Sequence, residues 1–133
     1  MRLSRRSEYA CLALIELAQS AGDDYVRIAD ISARKGVPRK YLEQILLILK
    51  RNGYACSARG PRGGYRLAKP ADRISLAAII RLMDGPLAPV ESVSKYFYER
   101  TPIEEQKKLL RVLRDVRNYV ARKLEETTLA DIA

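Results

Sequence analysis

Apolar residues recur at helical spacing in five stretches of this chain and alternate in one. Between residues 4 and 20, Ala10, Leu14, Leu17 and Ala18, flanked by Cys11 and Ile15, make a broad apolar face. That spacing predicts a helix capped by Ser4, ended by a turn at Gly22, Asp23 and Asp24. Tyr25-Val26-Arg27 is short and β-prone, suited to pairing with a later strand. Ile28 to Lys35 predicts a short helix that rests on Ile28, Ala29 and Ile31, with Gly36 as its left-handed C-terminal cap. Pro38 then opens a helix over about 38–52, where Leu42, Ile45, Leu46 and Leu49 fall at i, i+3, i+4 and i+7, and Gly53 closes it. Residues 55–59 and 64–68 predict two short strands around the tip Gly60-Pro61-Arg62-Gly63-Gly64, because Tyr65 and Leu67 alternate with Arg66.

Further on, Ile74 to Met83 predicts a helix ended by Asp84-Gly85-Pro86. Residues 87–100 have no single period and include Pro89 and the cluster Tyr96-Phe97-Tyr98. Thr101-Pro102-Ile103-Glu104 has the order of a cap, a first-turn proline and a capping-box acid, so a long helix is predicted from Thr101. Leu109, Leu113, Val116, Val120 and Leu124 run down one stripe of it, widened by Leu110, Val112 and Tyr119. At about 1.5 Å per residue, residues 102–124 span about 35 Å. One small domain has little core to cover such a helix. A second copy would cover it, which makes the stripe a candidate dimerisation surface.

Together these elements predict a mainly α fold. A short helix, a Gly-containing turn, a second helix and a two-stranded wing give a winged helix-turn-helix DNA-binding domain over 1–85. Residues 86–133 follow as a linker and a C-terminal dimerisation helix.

Charge changes the picture from fold to function. Residues 34–66 hold nine Lys/Arg against one acid, Glu43, a net of +8 in a chain whose total is +9. Residues 71–133 hold eleven basic and ten acidic residues, a net of only +1. The excess charge therefore sits on the second helix of the pair and on the wing, a surface suited to a nucleic-acid backbone. Arg39, Lys40, Glu43 and Gln44 stand in the first turns of that helix, where side chains reach base edges or phosphates. Tyr41 can hydrogen-bond a phosphate, although a packed aromatic is the commoner role. Arg59 and Arg62 flank a tip whose glycines let the backbone approach a groove.

Other chemistry finds little support. The chain has two cysteines and no histidine, so the commonest metal ligand and general base is missing, and no enzyme is expected. Two distant cysteines cannot close a zinc or iron–sulfur site in one chain, so no cofactor is expected. They also suit a reducing cytoplasm better than a disulfide framework. The Gly-rich tip lacks the Gly-Lys-Ser/Thr that a nucleotide loop needs, and a strand follows it rather than a helix. Cys11 reads as a small buried hydrophobe; Cys56, near basic residues, is either that or a redox-sensitive thiol. The aromatic cluster at 96–98 reads as core or interface, or else as an effector pocket. No apolar run reaches the roughly 20 residues of a membrane span, and the apolar stretch after Arg2, Arg5 and Arg6 reads as a helix rather than a leader. A winged helix serving RNA or protein assembly is the alternative to a DNA regulator; equal affinity for RNA and random DNA, in a monomer, would favour it.

Four segments carry a resemblance: MRLSRRSEYA, ADISARKGVPRKYLEQIL, SARGPRGGYRLAKP and ISLAAIIRLMDGPLAP. Over about residues 1–90 the chain resembles the BadM/Rrf-two family of bacterial winged-helix transcription regulators, and the long helix follows in outline. The resemblance implies a homodimer that binds palindromic promoter DNA, usually as a repressor, with a protein or small-molecule effector as a further partner. By motif position it implies recognition-helix contacts at Pro38, Arg39, Lys40, Tyr41, Glu43 and Gln44. Wing contacts fall on Arg59, Gly60, Pro61, Arg62, Gly63 and Gly64, and Arg2 and Ser4 lie where phosphates are touched. Several members hold an iron–sulfur cluster through three cysteines before the long helix. Here that segment, LAPVESVSKYFYERTPIEE, has no Cys or His, so the chain looks more like the cluster-free branch.

Overall fold

A computed structural model describes residues 2–20, 24–89, 91–94 and 98–133. Helix α1 (Arg5–Gln19) is the central strut. Ser4 caps it by accepting a hydrogen bond from the Ser7 amide at 3.2 Å, as the sequence predicts. Its inner face, Ala10, Ala13, Leu14 and Leu17, is buried. Against it pack α2 (Ile28–Lys35), α3 (Arg39–Arg51) and α4 (Leu76–Asp84). Gly36 ends α2 with φ of 68°, and the Gly36 amide donates to the Ser32 carbonyl. The predicted turn at Gly22 and Asp23 lies outside the described residues, as do Tyr96 and Phe97.

The wing is the antiparallel pair β1 (Ala55–Ala58) and β2 (Gly64–Leu67), in register Ala55 to Leu67 and Ala58 to Gly64. Val26 adds the bridge expected of the Tyr25-Val26-Arg27 segment. The Val26 amide donates to the Tyr65 carbonyl at 2.7 Å and the Tyr65 amide returns to Val26 at 2.8 Å. The wing is thereby bonded to the segment that enters α2.

Two elements differ from their predicted starts. Helix α4 begins at Leu76, not Ile74, because the Ser75 hydroxyl accepts from the Ala78 amide and caps the helix there. The long helix α5 runs Lys107–Glu126 rather than from Thr101. Residues 102–105 form a separate 3-10 turn ended by Gln106, whose φ of −100° and ψ of 78° break the helix. The predicted capping box does not form. The Thr101 hydroxyl donates to Ser92, and Glu104 instead accepts from the Tyr98 hydroxyl and pairs with Arg100.

The sequence reading also missed an element. A one-turn helix, α6 (Leu129–Ile132), returns from α5 onto the first domain. Leu129 is fully buried in the same core as Leu14, Leu42 and Ile74. The Leu129 amide donates to the Ile74 carbonyl and the Leu76 amide donates to that of Thr127, both at 2.9 Å. The missed signal is Thr128-Leu129-Ala130-Asp131, a capping box that the structure forms. On its far side α4 makes a second apolar cluster, where Ala77, Ile80 and Leu87 meet Leu124 of α5. The boundary near residue 85 is thus crossed twice by packed side chains. Leu129→Ala should lower unfolding free energy by about 2–5 kcal/mol, the usual range for an emptied leucine site. Urea unfolding at fixed protein concentration measures it; a loss within experimental error would remove α6 from the core.

Candidate nucleic-acid interface

The orientation of α3 follows from its buried stripe. Leu42, Ile45, Leu46 and Leu49 are buried. Arg39, Lys40, Tyr41, Glu43, Gln44, Leu47, Lys50 and Arg51 are exposed. Pro38 stands at the N-cap, and its carbonyl accepts from the amides of Tyr41 and Leu42. Among the described residues Arg39, Lys40, Glu43 and Gln44 make no ion pair or side-chain hydrogen bond. Tyr41 is 47% exposed, and its ring lies 5.8 Å from that of half-buried Tyr9 on α1. These two aromatics form one pair, which braces the first turn of α3 and leaves part of Tyr41 accessible.

At the wing tip Arg59, Gly60, Pro61 and Arg62 are exposed, and the Gly63 amide closes the turn onto the Gly60 carbonyl at 2.9 Å. The Arg27 guanidinium donates to the Pro61 carbonyl and ties the tip to the start of α2. Gly63, by contrast, is buried. A Cβ there would lie 2.3 Å from the Ala58 carbonyl oxygen, and one on Gly64 equally close to that of Val26. These two glycines shape the wing, Gly63 buried and Gly64 half-buried. An open notch of about 480 Å³ separates the wing from the helices, and it brings Arg39 of α3 and Arg59 of the wing onto one concave face beside Arg27.

The basic cluster is smaller in effect than its count of nine. Glu16, buried on α1, holds Arg34 at 2.6 Å and Lys35 at 3.6 Å. The hydrogen bond from Arg34 to this carboxylate raises the guanidinium pKa further. Arg66 stacks over Tyr25, 4.7 Å from the ring centre, and donates from Nε to Cys56 Sγ at 3.4 Å. Of the nine, Lys35 and Arg66 are partly covered and Arg34 is paired but exposed, while those of α3 and the wing tip are exposed.

At the N-terminus Arg2 is exposed, but Ser4 is engaged within the protein. Its hydroxyl and amide both donate to the Asp84 carboxylate at the end of α4. Desolvation acts to raise the Asp84 pKa, yet the hydrogen bonds from Ser4, with Ser7 and the Arg6 charge behind them, outweigh it and hold the carboxyl below its ordinary value. Ser7 Oγ itself is buried and short of a well-formed hydrogen bond, so its part is that of a nearby dipole. Burial pushes the Cys11 thiol up to about 11, with the Asp84 charge adding, which fits the reading of Cys11 as an inert small hydrophobe.

This arrangement is that of a winged helix-turn-helix DNA-binding protein. A family model for Rrf2, described as an iron-dependent transcriptional regulator, matches residues 3–133, and the chain belongs to that family of transcriptional regulators. It is 38% identical to Rv1287 of Mycobacterium tuberculosis, named as an HTH-type transcriptional regulator, over all of this chain and 81% of that one. It is 43% identical to the HTH-type transcriptional regulator IscR of Erwinia tasmaniensis over 84 residues, 63% of this chain and 51% of IscR. Among solved structures, CymR, the global cysteine regulator of B. subtilis, superposes with a TM-score of 0.80 at 31% identity, covering 100% of this chain and 96% of that one. The IscR of T. potens gives 0.75 at 28% identity, over 99% and 85%. These relatives are regulators, not enzymes. Among the described residues no helix is long and apolar enough to cross a membrane.

The family description names iron, and the donors of this chain do not fit a metal centre. There are two cysteines and no histidine, neither residue type occurs between 87 and 106, and no group of three or more Cys, Asp or Glu among the described residues is placed to hold a metal.

Three substitutions follow from this geometry. Gly64→Ala, at φ of 140° and against the Val26 backbone, should break the Val26–Tyr65 bridge and lower the melting temperature. Gly60→Ala, strained by its φ of 99° but with open space around it, should cost less; equal losses would count against a wing wedged on Val26. For Asp84, the folded pKa lies below the ordinary 3.8, so its stabilising contribution is complete above about pH 3.8 and is lost as pH falls through the folded value. The melting-temperature gap between wild type and Asp84→Asn should therefore close as pH is lowered below 3.8. A gap independent of pH would show that the carboxylate charge is not what Ser4 holds.

Proposed function

We propose that this protein is a dimeric, sequence-specific repressor that reads palindromic promoter DNA with α3 and the wing. The observation that carries the reading is the exposure of Arg39, Lys40, Glu43 and Gln44 on α3 together with Arg59 and Arg62 on the wing, with Arg39 and Arg59 lining one notch. A major groove about 12 Å wide admits a helix such as α3. There Arg39 or Lys40 pairs with guanine O6 and N7, Gln44 with adenine, and Glu43 accepts from a cytosine amino group. The Tyr41 phenol and Arg2 bind phosphate, as does the rest of the outward Lys and Arg. Pro38 sets the entry of the helix into the groove. Arg59 and Arg62 reach the backbone or a minor groove from the tip formed by Gly60 and Pro61, while Gly63 and Gly64 hold the wing's shape. Ser4 fixes the N-terminus on Asp84 and so acts on DNA only through Arg2.

The dimer reading rests on α5. Leu109, Val112, Val116 and Tyr119 are 44–64% exposed along one side of it, and Leu113 and Val120 are half-buried at its margin. Leu124 faces α4 instead, so the candidate dimerisation stripe is displaced toward Val112 and Tyr119 from the one first drawn. A second copy across a two-fold axis would cover that face and present two recognition helices about 34 Å apart, one turn of DNA. Work on promoter DNA places such a protein in the bacterial cytoplasm. Its signal would enter through a protein or small-molecule effector on the segment between α4 and α5, with no bound cofactor.

In a mobility-shift titration against its own upstream region, the protein should give a sequence-selective, salt-sensitive shift. Arg59→Ala or Gln44→Ala should weaken specific binding by about 1–3 kcal/mol while leaving nonspecific binding less affected. Equal affinity for unrelated duplexes, or for RNA, would favour a general nucleic-acid binder.

A further inference from the structure

Leu47 is an apolar side chain on a polar face. It lies in the third turn of α3, 39% exposed, and it does not join the core, although its neighbour Ile48 packs against it. Lys40, Glu43, Gln44 and Leu47 occupy i, i+3, i+4 and i+7 and so form one line along the helix, opposite the buried stripe. Four positions at this spacing are the ones through which a homeodomain's third helix reads the major groove. At 1.5 Å per residue the line spans about 10.5 Å, on the order of three base-pair steps. The first three members can hydrogen-bond to bases or phosphates. Leucine cannot, and the one apolar group a major groove offers is the C5-methyl of thymine.

The surrounding charge selects the occupant. Lys40, Lys50 and Arg51 share the exposed surface of α3 with Leu47, and the wing adds the exposed Arg59 and Arg62 to the same molecule. A second copy of this face would be repelled; a polyanion is attracted. The geometry points to Leu47 as a specificity-determining residue that reads a thymine in each half-site through its methyl group. This rests on the DNA-reading function proposed above.

The test uses the full-length protein and a duplex operator selected from random sequence. Each symmetry-related pair of thymines is replaced in turn by deoxyuridine, which lacks only the methyl. In fluorescence anisotropy titrations, one thymine pair should weaken wild-type binding about fourfold per methyl lost. Leu47→Ala should bind the unmodified operator correspondingly more weakly. It should be indifferent to uridine at that pair and respond normally at the others. It should fold cooperatively as wild type does, with a loss of melting temperature well below that of Leu46→Ala, whose side chain is fully buried. If wild type and Leu47→Ala respond identically to every uridine substitution, the inference is overturned and the DNA-reading function stands. If Leu47→Ala changes the oligomeric state without changing thymine dependence, Leu47 is a protein contact and the inference is likewise overturned. If wild type selects no operator at all, the DNA-reading function fails first and the inference falls with it.

Discussion

Burial of the α3 stripe against α1 is the constraint on which the rest depends. Leu42, Ile45, Leu46 and Leu49 are each worth roughly 1.5–3 kcal/mol when taken out of water, and they meet Ala10, Ala13, Leu14 and Leu17 in one core. Rotating α3 to hide any other face would expose that stripe and bury Lys40, Glu43 or Gln44 unpaired. Core formation and the outward aim of Lys40, Glu43 and Gln44 are therefore the same event. Glu16 adds direction from the other side of α1. By pairing with Arg34 and Lys35 it offsets one of the two charges at the end of α2, although the Arg34 side chain stays exposed.

The wing depends on that core through backbone rather than side chains. Val26 is buried at the entry to α2 and bonds Tyr65 in both directions, and Gly64 lies so close that no Cβ fits. Arg27 holds the tip from the same short segment. Arg59 and Arg62 are thus placed relative to α3 by three consecutive features of residues 26–27 and 64–65, with no side-chain packing at the tip itself. That is economical for a surface meant to meet DNA, since exposed positions keep their chemistry free.

Local rules made most of this legible in the chain. The stripe of α3, Gly36 as a left-handed cap and the Gly-rich tip between alternating residues each act within a few positions, and each was found where the pattern put it. The bridge from Val26 to the wing was legible only as a β-prone segment lacking a partner. What was not legible depended on long-range competition. Glu104 belongs to Tyr98 and Arg100 rather than to Thr101, and nothing in Thr-Pro-Ile-Glu reveals those competitors. Ser4 reads as a cap and is one, but its engagement by Asp84, eighty residues away, cannot be read from either neighbourhood. The burial of Gly63 was not legible because spacing does not report which side of a hairpin faces protein.

The return of α6 onto the first core changes what α5 can do. A long helix joined at one end only could swing about its linker, and two recognition helices would then have no fixed separation. Here the last turn of α5 and the segment beyond it are fixed to the domain. Leu124 packs on Ala77, Ile80 and Leu87, Arg81 pairs with Glu125 at 2.7 Å, and beyond the helix Leu129 is locked under Ile74. Its outward apolar side is consequently presented at a fixed angle to α3. If that side meets a second copy, the spacing of the two reading faces is set by packed side chains in α4 and α6. A signal that shifted α4 would then move Asp84 and with it Ser4, α1 and the base of α3, whereas one confined to the outer face of α5 would change only the distance between the two copies.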